Sequence, residues 1–162
     1  MKKDQPYGSW SSELTSGELA SGATRLSEAR VFNDEVLWLE GRPEESGRTA
    51  IVKFDGVNTV TVGPEDLNVR TLVHEYGGGA WLPTNNGILV SRFEDQRLWL
   101  LNDDFQPVTA EPSFPKGLRY SNGVAVPDSG DTIWVMERHQ NSGVHPQNFL
   151  ATITTTGDML EV

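Results

Sequence analysis

The most distinctive stretch of this 162-residue sequence is Asn68-Val69-Arg70-Thr71-Leu72-Val73-His74-Glu75-Tyr76-Gly77-Gly78-Gly79-Ala80-Trp81. Within it, His74 and Glu75 are side chains that can move protons or hold charge. If the stretch is extended, Arg70, Leu72, His74 and Tyr76 share one face, while Val73 and Glu75 share the other. His74 and Glu75 then point oppositely and cannot form one dyad without a bulge. They are read either as contacts to a ligand or neighbouring domain, or as structural groups. In the structural reading Glu75 bonds backbone amides or pairs with Arg70 or Arg97, and His74 is half-buried. Gly77-Gly78-Gly79 lacks the Lys-Ser/Thr ending and following helix of a phosphate loop. Three glycines at the start of a strand instead suit a close backbone approach. His139 and His145 flank a polar loop and have no zinc-ligand spacing. The absence of cysteine removes disulfides, thiolate metal sites and cysteine nucleophiles.

The elements that must position these residues are short strands. Gly, Pro, Asn, Asp, Ser and Thr punctuate short apolar runs along the whole length, the pattern of strands joined by turns. Arg25 to Phe32, Val36 to Glu40, Thr49 to Phe54 and Val57 to Val62 read as a four-stranded antiparallel meander. A second unit follows with Gly79 to Thr84, Ile88 to Phe93, Arg97 to Asn102 and Gln106 to Thr109. A third has Tyr120 to Val126, Thr132 to Glu137 and Phe149 to Thr154, with Met159 to Val162 as a last strand. Second strands starting at Val36, Ile88 and Ile133 lie 52 and 45 residues apart. Four strands per repeat of that length is a β-propeller signature. The expected fold is all-β: a partial β-propeller of about three four-stranded antiparallel blades, with a short N-terminal helix. The helix rests on the capping-box spacing of Thr15 and Glu18, the apolar Leu14, Leu19 and Ala20, and a stop at Gly22. The expected division is 1–24 for the N-terminal arm, 25–66 for blade one, 67–112 for blade two, and 113–162 for blade three with the start of the next. Five tryptophans recur at blade-like positions and are expected between packed sheets.

Charge narrows the partners. Thirteen basic residues face 23 acidic ones, a net charge of −10, so neither nucleic acid nor an anionic membrane is an expected partner. No apolar run approaches the roughly 18 residues of a membrane span. The first residues lack the apolar core of a secretory signal, so a cytoplasmic location is expected.

The central stretch resembles the "RxxVHEYGGG-small-aromatic" signature in the propeller of prolyl-oligopeptidase-family serine peptidases, in the dipeptidyl-aminopeptidase/acylaminoacyl-peptidase branch. Other stretches resemble the same family in the same order. They are Tyr7-Gly8-Ser9-Trp10, Trp38-Leu39-Glu40-Gly41-Arg42-Pro43, Phe93-Glu94-Asp95-Gln96-Arg97-Leu98-Trp99, Leu118-Arg119-Tyr120-Ser121-Asn122 and Glu137-Arg138-His139. Leu72 departs from a position that is often basic in the family, and Asn122 and Arg138 from positions that tend to be acidic. These departures count against charge-based substrate contacts there. The resemblance implies a propeller that covers a C-terminal α/β-hydrolase domain carrying Ser, Asp and His. The nucleophile elbow G-x-S-x-G has no match: Ser121-Asn122-Gly123 supplies its second half, but Arg119 stands at the first glycine position. No catalytic residue and no cofactor are expected in this chain, which should be inert alone. The expected role is substrate gating and docking on the hydrolase domain. Its candidate contact residues are Arg70, His74, Glu75, Tyr76 and Arg97, and its expected partners are the remaining blades, the hydrolase domain and peptides. Two other readings stay open. One is a stand-alone propeller-type interaction module. The other is a calcium-dependent hydrolase, because Ser121 to Gly130 also resembles the gluconolactonase-like strand whose Asn, here Asn122, helps bind a divalent cation.

Overall fold

The computed structural model describes residues 6–9, 11, 13–15, 17–18, 22–140, 144–154 and 157–161. They form twelve strands in three four-stranded sheets, each an antiparallel meander. Sheet one contains β1 (Arg25–Phe32), β2 (Glu35–Arg42), β3 (Arg48–Phe54) and β4 (Thr59–Val62). Sheet two contains β5 (Trp81–Thr84), β6 (Gly87–Ser91), β7 (Leu98–Leu101) and β8 (Phe105–Pro107). Sheet three contains β9 (Leu118–Ala125), β10 (Thr132–Arg138), β11 (Gln147–Ile153) and β12 (Met159–Glu161). These are three successive blades of a β-propeller. One boundary differs from the sequence expectation. Met159–Glu161 pairs with β11 and completes the third sheet instead of opening another. Thr154 N–H donates to Asp158 O at 2.9 Å beside this pairing.

Turn chemistry sets the registers. Asn33 and Asp34 both take left-handed backbone (φ 50° and 63°), as a two-residue hairpin between right-twisted strands requires. Asp55 Oδ1 accepts the amides of Val57 and Asn58 at 2.9 and 2.8 Å, closing the β3–β4 turn. Near the N-terminus the capping box forms: Thr15 N–H and Oγ1 donate to Glu18 Oε2, and Glu18 N–H donates to Thr15 Oγ1. Leu19 and Ala20, which would continue that helix, lie outside the described residues, as does Trp10.

Period-two alternation divides each sheet into two faces. One core joins sheets one and two: Leu37, Leu39 and Ile51 meet Trp81, Val90 and Leu101, and Trp99 and Phe105 pack at its edge. A second core joins sheets two and three: Leu82, Leu89 and Leu98 meet Tyr120, Trp134, Met136, Ala151 and Ile153. Burying an Ile51- or Leu98-sized side chain contributes roughly 1.5–3 kcal/mol relative to exposure. Trp134 also presses on β9, where an added Cβ on Gly123 would lie 2.5 Å from its ring. A β-bulge at this point of β9 lets the strand pass under the indole.

Tyr120 is 1% exposed, and burial pushes its phenol up to about 12 despite the opposing pull of the Thr109 hydroxyl. An unfolded tyrosine ionises near about 10, so this group's contribution to stability is complete below about pH 10. It is lost as pH rises through the folded value of about 12. Ultraviolet titration should therefore find one of the three tyrosines ionising only near pH 12, with the melting temperature falling over the same range. Simultaneous ionisation of all three in the folded protein would contradict the burial of Tyr120.

Candidate functional site

The linker from sheet one to sheet two builds the site. It first runs as a seam between the two sheets. Val69 N–H donates to Thr49 O at 2.8 Å and Arg70 N–H to Ser91 O at 3.1 Å, and Val69 bridges Arg92. At Leu72 the chain leaves the seam and turns sharply. Glu75 N–H donates to Leu72 O and Gly77 N–H to Val73 O, both at 3.0 Å. His74 and Glu75 are left-handed, with φ of 53° and 62°. The extended stretch expected from the sequence is thus replaced by a turn, and the face-sharing argument fails there. Two adjacent left-handed residues with side chains are costly and persist only where the surroundings hold them.

Groups from two sheets do the holding. From sheet two, fully buried Gln96 accepts from Leu72 N–H at 2.7 Å and donates to the carbonyls of Arg70 and Phe93 at 3.2 and 3.1 Å. From sheet three, Arg119, Glu137 and Asn148 form one cross-strand row. Arg119 donates to Leu72 O at 2.9 Å, Glu137 Oε2 accepts His74 N–H at 2.5 Å, and Asn148 Oδ1 lies 2.8 Å from His74 Nε2. Glu137 is 1% exposed, and its other oxygen lies 2.7 Å from His139 Nε2. Beyond the turn, Asn122 grips Gly79 at both ends: its Oδ1 accepts Gly79 N–H at 2.8 Å and its N–H donates to Gly79 O at 2.7 Å. Added Cβ atoms on Gly78 and Gly79 would lie 3.2 and 3.0 Å from Asn122, so the glycines permit this approach.

The turn therefore lifts His74, Glu75 and Tyr76 to the surface, with Tyr76 97% exposed. Below it lies a cleft of about 680 Å³ whose lining includes Arg25, Glu28, Arg70, Thr71, Tyr76 and Gly77. The Arg70 guanidinium rests 5.3 Å from the Phe93 ring. Arg97 stands apart: it donates to Thr109 O and stacks on Trp99 at 5.9 Å. Neither arginine reaches Glu75. Ser121 is fully buried on β9. Among the described residues no group of three or more His, Asp or Glu gathers as a metal site, and the Asn122 oxygen is occupied by Gly79.

Sequence reasoning missed Gln96, Glu137 and Glu28. Gln96 and Glu137 carried a signal only as parts of family-like stretches. Glu28 had none: it sits at a β-bulge of β1 with φ 51°. Burial raises its carboxyl above the usual range, against the pull of Arg30. Its buried Oε2 has no hydrogen-bond partner, and the Ala80 amide and Trp81 indole offset the effect of burial on the carboxyl only in part.

Replacing Gln96 by Met keeps the volume but strands the Leu72 amide and the Arg70 carbonyl. Gln96→Met should cost about 1–3 kcal/mol in urea unfolding and speed hydrogen exchange at the Leu72 amide; unchanged exchange would mean that Gln96 does not hold the turn. For Glu28 the folded state favours the protonated form, so its contribution to stability is full below the ordinary carboxylate range and lost as pH rises. Glu28→Gln should raise the melting temperature at neutral pH, and the gain should vanish as pH falls through that range. A lower melting temperature at neutral pH would show that pairing with Arg30 outweighs burial.

No family model and no curated protein matches this chain. Solved structures do. A Mycobacterium tuberculosis puromycin-hydrolysing peptidase superposes with a TM-score of 0.83 at 32% identity, covering 99% of this chain and 27% of that one. Puromycin hydrolase gives 0.77 at 29% identity, covering 95% of this chain and 25% of its own. A variant of puromycin hydrolase complexed with PGG gives 0.78 at 27% identity, with 97% and 27% covered. The chain thus spans about a quarter of the length of the solved structures it matches. By motif, blade order and superposition, it belongs to the prolyl-oligopeptidase family of peptidases, as an N-terminal propeller portion.

Proposed function

We propose that this chain is the substrate-gating propeller segment of a prolyl-oligopeptidase-like serine peptidase and is not catalytic itself. The observation that carries this reading is the strained turn at His74, Glu75 and Tyr76, held by buried groups of two sheets above a cleft. Rigid support for exposed side chains of mixed chemistry suits recognition, because little is lost on ordering them when a ligand arrives. In this reading the hydrolase part supplies the Ser, Asp and His machinery. The propeller restricts access to small peptides, and the turn touches either the peptide or the hydrolase surface. Arg70 would steer anionic groups at the cleft, and Arg97 would keep the outer rim of sheet two in place. The named relatives act on puromycin, so aminoacyl amides of that type, dipeptides and acylated peptides are the first substrates to try. A cytoplasmic setting belongs to the same proposal and rests on the acidic, cysteine-free composition.

The test is a chimera in which this chain replaces the matching N-terminal quarter of the Mycobacterium tuberculosis enzyme. The chimera should hydrolyse puromycin, whereas the 162-residue chain alone should not. In the chimera, Tyr76→Ala or Glu75→Ala should raise KM about tenfold with little change in kcat, as expected for lost binding worth ~1.4 kcal/mol. A folded chimera without activity, or one whose KM ignores both substitutions, would defeat the gating assignment.

A further inference from the structure

Two cations lean on one aromatic ring. The Arg70 guanidinium carbon lies 5.3 Å from the centre of the Phe93 ring, and Lys116 Nζ lies 4.7 Å from it. The two charges are therefore no more than 10.0 Å apart, the sum of those distances. The three residues come from separate segments. Arg70 belongs to the linker between sheets one and two, Phe93 to the β6–β7 loop, and Lys116 to the linker between sheets two and three. Like charges brought together repel, so the convergence has to be held in place. Elsewhere in this acidic chain Arg42, Arg48, Lys53, Arg92 and Arg138 each face a carboxylate. Among the described residues, no carboxylate stands within ion-pair distance of Arg70 or Lys116. Glu94, Asp95 and Glu111 share a hollow of about 300 Å³ with Lys116, but Glu94 and Asp95 are turned to Arg92.

The backbone does the holding. Buried Gln96 donates to the carbonyls of both Arg70 and Phe93, so one side chain fixes the first cation and the ring together. Phe93 N–H also donates to Asn68 O at 2.9 Å. Lys116 is left-handed, with φ of 58°, a conformation that persists only where the surroundings fix it. Its neighbour Gly117 donates to Phe114 O at 3.1 Å and accepts His139 N–H at 2.8 Å, and Arg119 Nε donates to Lys116 O at 3.4 Å. The charged ends can leave the ring without disturbing these anchors. A guanidinium presents paired donors that match the two oxygens of a carboxylate, and the ammonium adds a second charge. Arg70 also lines the cleft below Tyr76, so an anion between the two cations lies at the rim of that cleft.

We propose that Arg70 and Lys116 clasp the free carboxylate of a peptide beside Phe93, with the ring as an apolar platform for the adjoining carbon chain. The peptide as the source of that carboxylate rests on the gating reading. The carboxylate site itself does not, since it follows from the two held cations. Peptides that end in a carboxylate are then favoured over those that end in an amide.

Amide chemical shifts of the 162-residue chain, titrated with trialanine, with its C-terminal amide and with inorganic phosphate, test this. Trialanine should move the amides of Arg70, Phe93 and Lys116 and bind about tenfold tighter than its amide, as one lost charge-assisted contact implies. Lys116→Gln and Arg70→Gln should each remove that preference. Lys116→Gln keeps the stem and loses only the charge, so it decides alone if Arg70→Gln disturbs the turn. Equal binding of acid and amide overturns the proposal, as does a preference that survives Lys116→Gln. Phosphate binding tighter than trialanine overturns the carboxylate assignment. In the chimera, Lys116→Gln should raise the ratio of KM for trialanine to KM for its amide about tenfold. An unmoved ratio there, with binding retained by the 162-residue chain, would assign the clasp to a carboxylate of the hydrolase part and overturn the peptide assignment. An inactive chimera defeats the gating reading and leaves the binding result standing, so the two fail separately.

Discussion

Because β6 and β7 send apolar side chains to both sides, sheet two is stable only when a sheet covers each of its faces. Leu82, Leu89, Leu98 and Leu100 point one way, and Val90, Trp99 and Leu101 the other. A soluble sheet normally leaves one face to water. Here that option is closed, so sheets one and three must stand at either side of it. Everything else follows from that sandwich. The linker at 67–80 has to pass along the seam that sheet two makes with sheet one. When it leaves the seam it meets the edge of sheet three, where Arg119, Glu137 and Asn148 wait in a row.

The turn is held by polar groups that are themselves buried, and this is what makes it rigid. A buried acceptor such as Glu137 Oε2 gains a charge-assisted bond from the His74 amide in a poorly screened setting. Gln96 meets three backbone groups with one side chain. The left-handed backbone at His74 and Glu75 is costly taken alone, yet these bonds leave it no alternative that keeps all its partners satisfied. Local strain and distant support are therefore two sides of one arrangement.

Much of this was legible in the sequence. Alternation and turn residues located the strands to within a few positions, and of the tryptophans expected between packed sheets, Trp81, Trp99 and Trp134 lie there while Trp38 sits on the outer side of sheet one. The glycine run was correctly read as a close approach, now seen against Asn122. The turn itself was not legible. Parity rules assume an extended chain, and what bends residues 72–77 is a carboxylate 63 positions away on β10. Nothing local to Gln96 in the sequence shows that its side chain points inward. Glu28 was hidden because a bulge, invisible to period-two counting, re-aims it.

Gly123 and Trp134 fit as cast and mould: the indole occupies the space where any side chain at 123 would begin. The two positions therefore cannot drift independently. A methyl group at 123 is intolerable while tryptophan stands at 134, whereas a smaller ring at 134 would first open room for it. The order of mutations is thus constrained as well as their identity, and a library that varies either position alone would misjudge how much freedom the pair has.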